Sequence, residues 1–148
     1  MTIPAQPIHD SIRAFLLTLD AVTDVVGTAK IRSEVAEQRD APPWITVSTT
    51  RIEHHNTLDG LGGLAKATVE IKLVTESAVD RWDMVEDVRI NDTNPGTGLA
   101  GYSGIAGENE IHAHLIDTEA GFTPSQDGTE RDLYYCLSTY VVEYNETT

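Results

Sequence analysis

Hydrophobic and polar positions alternate most cleanly between Ala65 and Thr75, where Ala65, Ala67, Val69, Ile71 and Leu73 are separated by Lys66, Thr68, Glu70 and Lys72. A period of two gives a strand with one covered and one wet face. A partner strand is expected from Pro43 to Glu53. There Ala41-Pro42-Pro43 puts prolines where a strand begins, and the β-branched run Trp44-Ile45-Thr46-Val47-Ser48-Thr49-Thr50 follows. The connection between the two, from His54 to Leu64, carries Gly60, Gly62 and Gly63. It is long for a hairpin, so the pattern predicts a projecting arm.

The helical period appears twice. Pro7 suits an early helical position, and Ile8, Ile12, Phe15, Leu16 and Leu19 follow at helical spacing. Val22, Val25 and Val26 extend that stripe past a break near Asp20, and Gly27 supplies the stop. Ser77 is placed to cap a second helix, with Val79, Trp82, Val85 and Val88 as its expected apolar side and Asp80, Asp83, Glu86 and Asp87 facing out. A short strand is expected at Lys30 to Ala36, with Ile31 and Val35 turned inward.

Past the second helix, glycines at 96, 98, 101, 104 and 107 predict a flexible surface loop from Asn94 to Gly107. A phosphate cradle would need a helix to follow, and the next pattern is a strand. Glu110 to Asp117 alternates Ile111, Ala113 and Leu115 with His112, His114 and Ile116, and Thr118 to Gly128 reads as a loop. The last strand, Glu130 to Tyr144, differs from the others. It carries Leu133, Tyr135, Leu137 and Val141 on one side, and Tyr134, Cys136, Tyr140, Val142 and Tyr144 on the other. Two helices can cover one face of it, so the second face calls for another layer or another subunit. The expected fold is α+β: a mixed, mostly antiparallel sheet of four to five strands with two helices packed on one face, and a long projecting hairpin.

The 148 residues make one domain, 1–148, able to bury about 68–70% of its unfolded surface without staples. Cys136 is the only cysteine, which excludes an internal disulfide and a multi-cysteine zinc site and fits a reducing compartment. The apolar run at Phe15-Leu16-Leu17 is interrupted by Arg13 and Asp20, so neither a signal peptide nor a membrane span is expected. Twenty-four acidic against ten basic residues give a formal charge of −14, which repels nucleic acid. The acidity fits either simple solubility or a high-salt host.

The sharpest catalytic-looking feature is Gly107-x4-His112-x-His114-x4-Glu119, since two histidines at i and i+2 on a strand point the same way and a carboxylate could complete a metal face. It comes near the first cupin motif, and a cupin-like metal-dependent enzyme is the reading it would support. The leading glycine is one residue too close, Gly121 falls too soon after Glu119, and no histidine follows His114. His-x-His on the wet side of a strand needs no metal to explain it. Ser103, in Gly101-Tyr102-Ser103-Gly104, lacks the frame of a nucleophile elbow. Nothing compels an enzyme, a cofactor or a catalytic residue.

The order of elements is itself recognisable. A helix ending Val25-Val26-Gly27 leads through a short strand to Ala41-Pro-Pro-Trp-Ile-Thr-Val47. A glycine-bearing hairpin, the strand Thr68-Val-Glu-Ile-Lys-Leu-Val-Thr75, a helix and the closing Thr139-Tyr-Val-Val-Glu-Tyr144 complete it. This resembles the tail terminator, or tail completion, family of long-tailed phages and related archaeal viruses. The resemblance implies a structural virion protein, a homohexameric ring that caps the head-proximal end of the tail tube and meets the major tail tube protein and the neck connector. It implies assembly in the host cytoplasm, residence at the tail-neck junction, DNA passing through the lumen without specific binding, and no membrane. A two-faced last strand suits a ring, with Trp44, Tyr134, Tyr140 and Val142 as the expected subunit interface. The hairpin, through Leu58, Leu61 and Leu64, suits contact with a neighbouring ring or the tube. Another head-tail connector, a head-closure protein or a minor capsid component would share much of this pattern.

Overall fold

The computed structural model describes residues 7–33, 42–54, 64–91, 94, 96–123 and 133–145. Among these described residues, three α-helices lie on one face of a six-stranded sheet. The helices are α1 (Ile8–Leu16), α2 (Asp20–Val26) and α3 (Ala78–Arg89). The strands are β1 (Ile31–Ser33), β2 (Trp44–His54), β3 (Leu64–Thr75), β4 (Ser103–Ala106), β5 (Asn109–Thr123) and β6 (Leu133–Asn145), in spatial order β1-β2-β3-β6-β5-β4. Only β1 and β2 run parallel; the other four pairings are antiparallel.

The mixed, mostly antiparallel α+β sheet agrees with the sequence pattern, and the counts do not. Three helices replace two because the first stripe breaks at Leu17–Leu19, just before Asp20. Six strands replace four to five because β4 forms inside the segment expected to be a loop. That segment is anchored as well. Leu99 N–H donates to Val88 O at 2.8 Å and Ala100 N–H to Arg89 O at 3.2 Å, satisfying carbonyls that the end of α3 leaves open. Gly98 fits only because it has no side chain: a Cβ there would lie 2.3 Å from Arg89 O. β5 also runs to Thr123, through residues expected to be loop.

The core is the helix-facing side. Ile8, Ile12, Phe15, Leu16 and Leu19 are all buried, as their spacing predicts, and meet Ile45, Val47, Val69, Ile71, Leu73, Tyr140 and Val142 from the sheet. Ile31 is buried as expected, and Val35 lies outside the described residues. α1 touches β1 and β2 near one sheet edge and β4 at the other, so the sheet curls around it. Phe15 against Tyr102 (ring centroids 4.4 Å apart) and Asn109 Nδ2 donating to Ser11 Oγ (2.7 Å) tie the far edge to this helix.

Ser77 caps α3 as predicted, its Oγ accepting from the N–H groups of Val79 and Asp80. The buried side of α3 differs from expectation: Met84, Val85 and Val88 face inward, while Val79 and Trp82 are 68% and 48% exposed. On a helix, Met84, Val85 and Val88 share one stripe with Arg81, and Val79 falls on the opposite side of it. The helix cannot bury both sets.

Leu58 and Leu61, in the connection expected to project, lie outside the described residues, whereas Leu64 opens β3 at 43% exposure.

Candidate functional site

β6 decides which surface is left over. Its even positions Cys136, Ser138, Tyr140, Val142 and Tyr144 are buried under the helices, and its odd positions Tyr135, Leu137, Thr139, Val141 and Glu143 are half-buried on the outer face. Tyr140 and Val142, expected at a subunit interface, are 1% and 0% exposed within one chain. The helices claim their side of the strand, so the apolar surface left open belongs to the opposite parity.

That outer face is ordered in rows by strand register. Trp44, Val74, Tyr135 and Gly121 form one, with Trp44 and Tyr135 flanking a buried Val74. Thr46, Lys72, Leu137 and Glu119 form the next. Tyr135 lies directly over Gly121, where a Cβ would meet the ring at 2.0 Å. Lys72 Nζ sits 5.1 Å from the centre of the same ring, within cation-π range. Trp44, expected at a subunit interface, lies half-buried on this row within one chain.

Tyr134 points to the helix side at the end of the sheet. Its ring meets Phe122 (4.9 Å between centroids) and the Arg81 guanidinium (5.6 Å), which also lies over Trp82 (5.4 Å). Arg81 Nη1 donates to Gly121 O at 2.8 Å. Exposed Trp82 and Phe122 beside an arginine have the composition of an interface anchor. Phe122 escapes the sequence pattern because Thr118 to Gly128 reads as a loop, whereas β5 continues to Thr123.

His112 and His114 stand exposed on the outer face of β5, before a bulge between Leu115 and Asp117. Glu119 lies beyond the bulge, opposite Leu137, while the histidines lie opposite Glu143 and Val141. Among the described residues no group of three or more His, Cys, Asp or Glu is placed to hold a metal ion. Ser103 Oγ is 2.8 Å from His112 Nδ1, a pairing the sequence did not suggest. It sits exposed on an edge strand.

The titration shifts belong to the scaffold. Burial pushes the Tyr140 phenol far above its ordinary range; Arg89 opposes this and Glu86 adds to it. Burial also raises the Cys136 thiol. Arg89 is held charged by its paired hydrogen bonds to Glu86, at 3.1 and 2.6 Å. No helix among the described residues is long and apolar enough to cross a membrane.

No family model and no curated protein matches this chain. Solved structures do match, among them a chain of one described as the virion of a native gene transfer agent particle. That likeness has a TM-score of 0.65 and covers 93% of this chain and 94% of the other at 13% sequence identity, which shows a common fold.

Proposed function

We propose that this chain is a non-catalytic structural protein of a virion, a tail terminator that assembles as a hexameric ring, caps the head-proximal end of the tail tube and joins it to the neck connector. The observation that carries this reading is the fold shared, end to end, with a chain of a gene transfer agent particle. Two features of the chain support the finer role. The order of helix, hairpin, helix and tyrosine-rich strand resembles the tail terminator family, and the outer sheet face keeps an apolar row that a second copy could cover.

In this reading the partners are copies of itself, the major tail tube protein and the neck connector, and assembly takes place in the host cytoplasm before the protein is locked into the virion. A surface with 24 acidic and 10 basic residues suits a conduit through which DNA slides without specific binding. No cofactor enters the role.

Electron microscopy of particles assembled without this chain tests it. Tails of uncontrolled length are the expected result. Tubes of normal length that fail to join heads would assign the chain to another neck component and overturn the terminator role.

A further inference from the structure

β5 is paired on both sides along only part of its length. On the side away from β6, β4 covers Asn109 to His112, and Ala113 is bonded there to Gly101 (2.8 Å) and Tyr102 (2.9 Å). Beyond Ala113 no strand among the described residues pairs on that side. A bulge between Leu115 and Asp117 interrupts the edge, and from Asp117 to Thr123 the strand resumes an unbroken register with β6. Ala113 turns its main chain toward β4, so its partner Val142 turns away from β5, and so does every second residue of β6. Ser138, Cys136 and Tyr134 are in that set. Their partners Thr118, Ala120 and Phe122 therefore aim N–H and C=O groups at the open side.

The side chains of this stretch are sorted by face. Asp117 and Glu119 stand exposed on the outer face, and among the described residues no hydrogen bond or ion pair engages either carboxylate. On the helix side Ala120 and Phe122 are exposed, since α3 packs over β3 and β6. Phe122 is linked through Tyr134 and Arg81 to Trp82, also exposed. A bulge and charged side chains commonly keep an edge from pairing at random. That alone does not account for Phe122 and Ile116 on the same edge at 48% and 62% exposure.

We propose that the free edge of β5 from Asp117 to Thr123 is a docking site for an extended segment of another protein, one that alternates basic and apolar residues and adds to the sheet as a further strand. Main-chain bonds to Thr118, Ala120 and Phe122 hold it. Its basic side chains meet Asp117 and Glu119, and its apolar ones meet Phe122 and Trp82. A second copy of this edge is excluded by the same charges. Pairing the edge with itself sets Asp117 and Glu119 against their own kind on one face, and like charges across strands repel. The edge is a different surface from the β6 row proposed to join copies, and the inference does not rest on that ring.

Fluorescence anisotropy with two labelled seven-residue peptides tests this, one alternating lysine with valine and the other glutamate with valine. The lysine peptide is expected to bind about tenfold tighter or more. D117K/E119K leaves the chain acidic overall and is expected to reverse the preference. A120P removes one outward N–H at an edge position that tolerates proline, and is expected to weaken the lysine peptide about tenfold. Methylating alternate backbone nitrogens of that peptide removes the same class of bond with the protein unaltered, so the comparison holds even where A120P does not fold. Equal binding by the methylated peptide would show adhesion by charge alone and overturn strand addition. A lysine preference that survives D117K/E119K would put the cation contact on another face and overturn the site. Self-association of the unaltered chain that A120P abolishes would make the occupant a second copy. No binding of either peptide at millimolar concentration overturns the proposal outright.

Discussion

Tyr135 lies across Gly121 on the neighbouring strand, its ring occupying the space where any side chain at 121 would begin. An aromatic laid over a glycine covers backbone the glycine would leave bare and fixes the register of the pair. Gly121→Ala puts a methyl into the far end of that ring, which can swing away. The expected cost is about 1–2 kcal/mol, at the low end for overpacking. The altered tyrosine environment should show in the near-ultraviolet circular dichroism; an unchanged spectrum would mean that the ring does not rest there.

Gly98 offers the contrasting case. A Cβ there meets the carbonyl of Arg89 and the amide nitrogen of Ile90, which are backbone and cannot rotate aside. Gly98→Ala should therefore cost about 2–3 kcal/mol and loosen the segment from α3. Leu99→Ala, emptying a fully buried site beside it, should cost about 2–5 kcal/mol. Urea midpoints check both, and hydrogen exchange at the Leu99 and Ala100 amides should accelerate in Gly98→Ala. Unchanged protection there would show that the segment does not dock.

Tyr140 sets an alkaline limit. Its folded-state pKa is raised above the ordinary 10.0 by burial, so its contribution is complete below about pH 10 and is lost as pH rises toward the folded value. Each pH unit in that window removes up to about 1.4 kcal/mol. Tyr140→Phe cannot ionise, and its stability should fall less steeply above pH 10. Parallel denaturation midpoints for the two proteins from pH 8 to 11 would rule this out.

Cys136 gives a probe of the same core. The thiol is fully buried and its pKa is raised by that burial, so thiolate is scarce and reagents cannot reach it. Alkylation of the native protein should be slow and should become fast in denaturant. Rapid native labelling would mean that β6 is open on its helix side.

Patterns that depend only on neighbours along the chain were legible. The alternation of β3 shows its inner face directly, and the α1 stripe names its own buried residues, because each element has one apolar side. Where an element carries two, local pattern cannot choose. β6 offers Tyr140 and Val142 on one side and Leu137 and Val141 on the other, and the choice is made by where the helices pack. α3 poses the same problem, with Val79 and Trp82 competing against Met84 and Val88. The glycine-rich segment departs from its loop-like composition for a related reason: what orders it is the open carbonyls of α3 and the edge of β5, contacts that composition does not record.

The two parities of β6 make the final prediction, because they separate folding from assembly in adjacent residues. Val142 is wholly buried against the helices, and Val142→Ala should cost about 2 kcal/mol from lost burial and the space left behind. Val141 is half-buried on the outer face, so Val141→Ser should leave the stability of the single chain within about 0.5–1 kcal/mol. If the outer face is where copies meet, Val141→Ser should weaken self-association, while Val142→Ala should leave association intact at temperatures where it remains folded. Chemical denaturation and sedimentation velocity on the two variants measure the two quantities separately. Association lost in Val142→Ala but kept in Val141→Ser would place the contact on the helix side of the sheet.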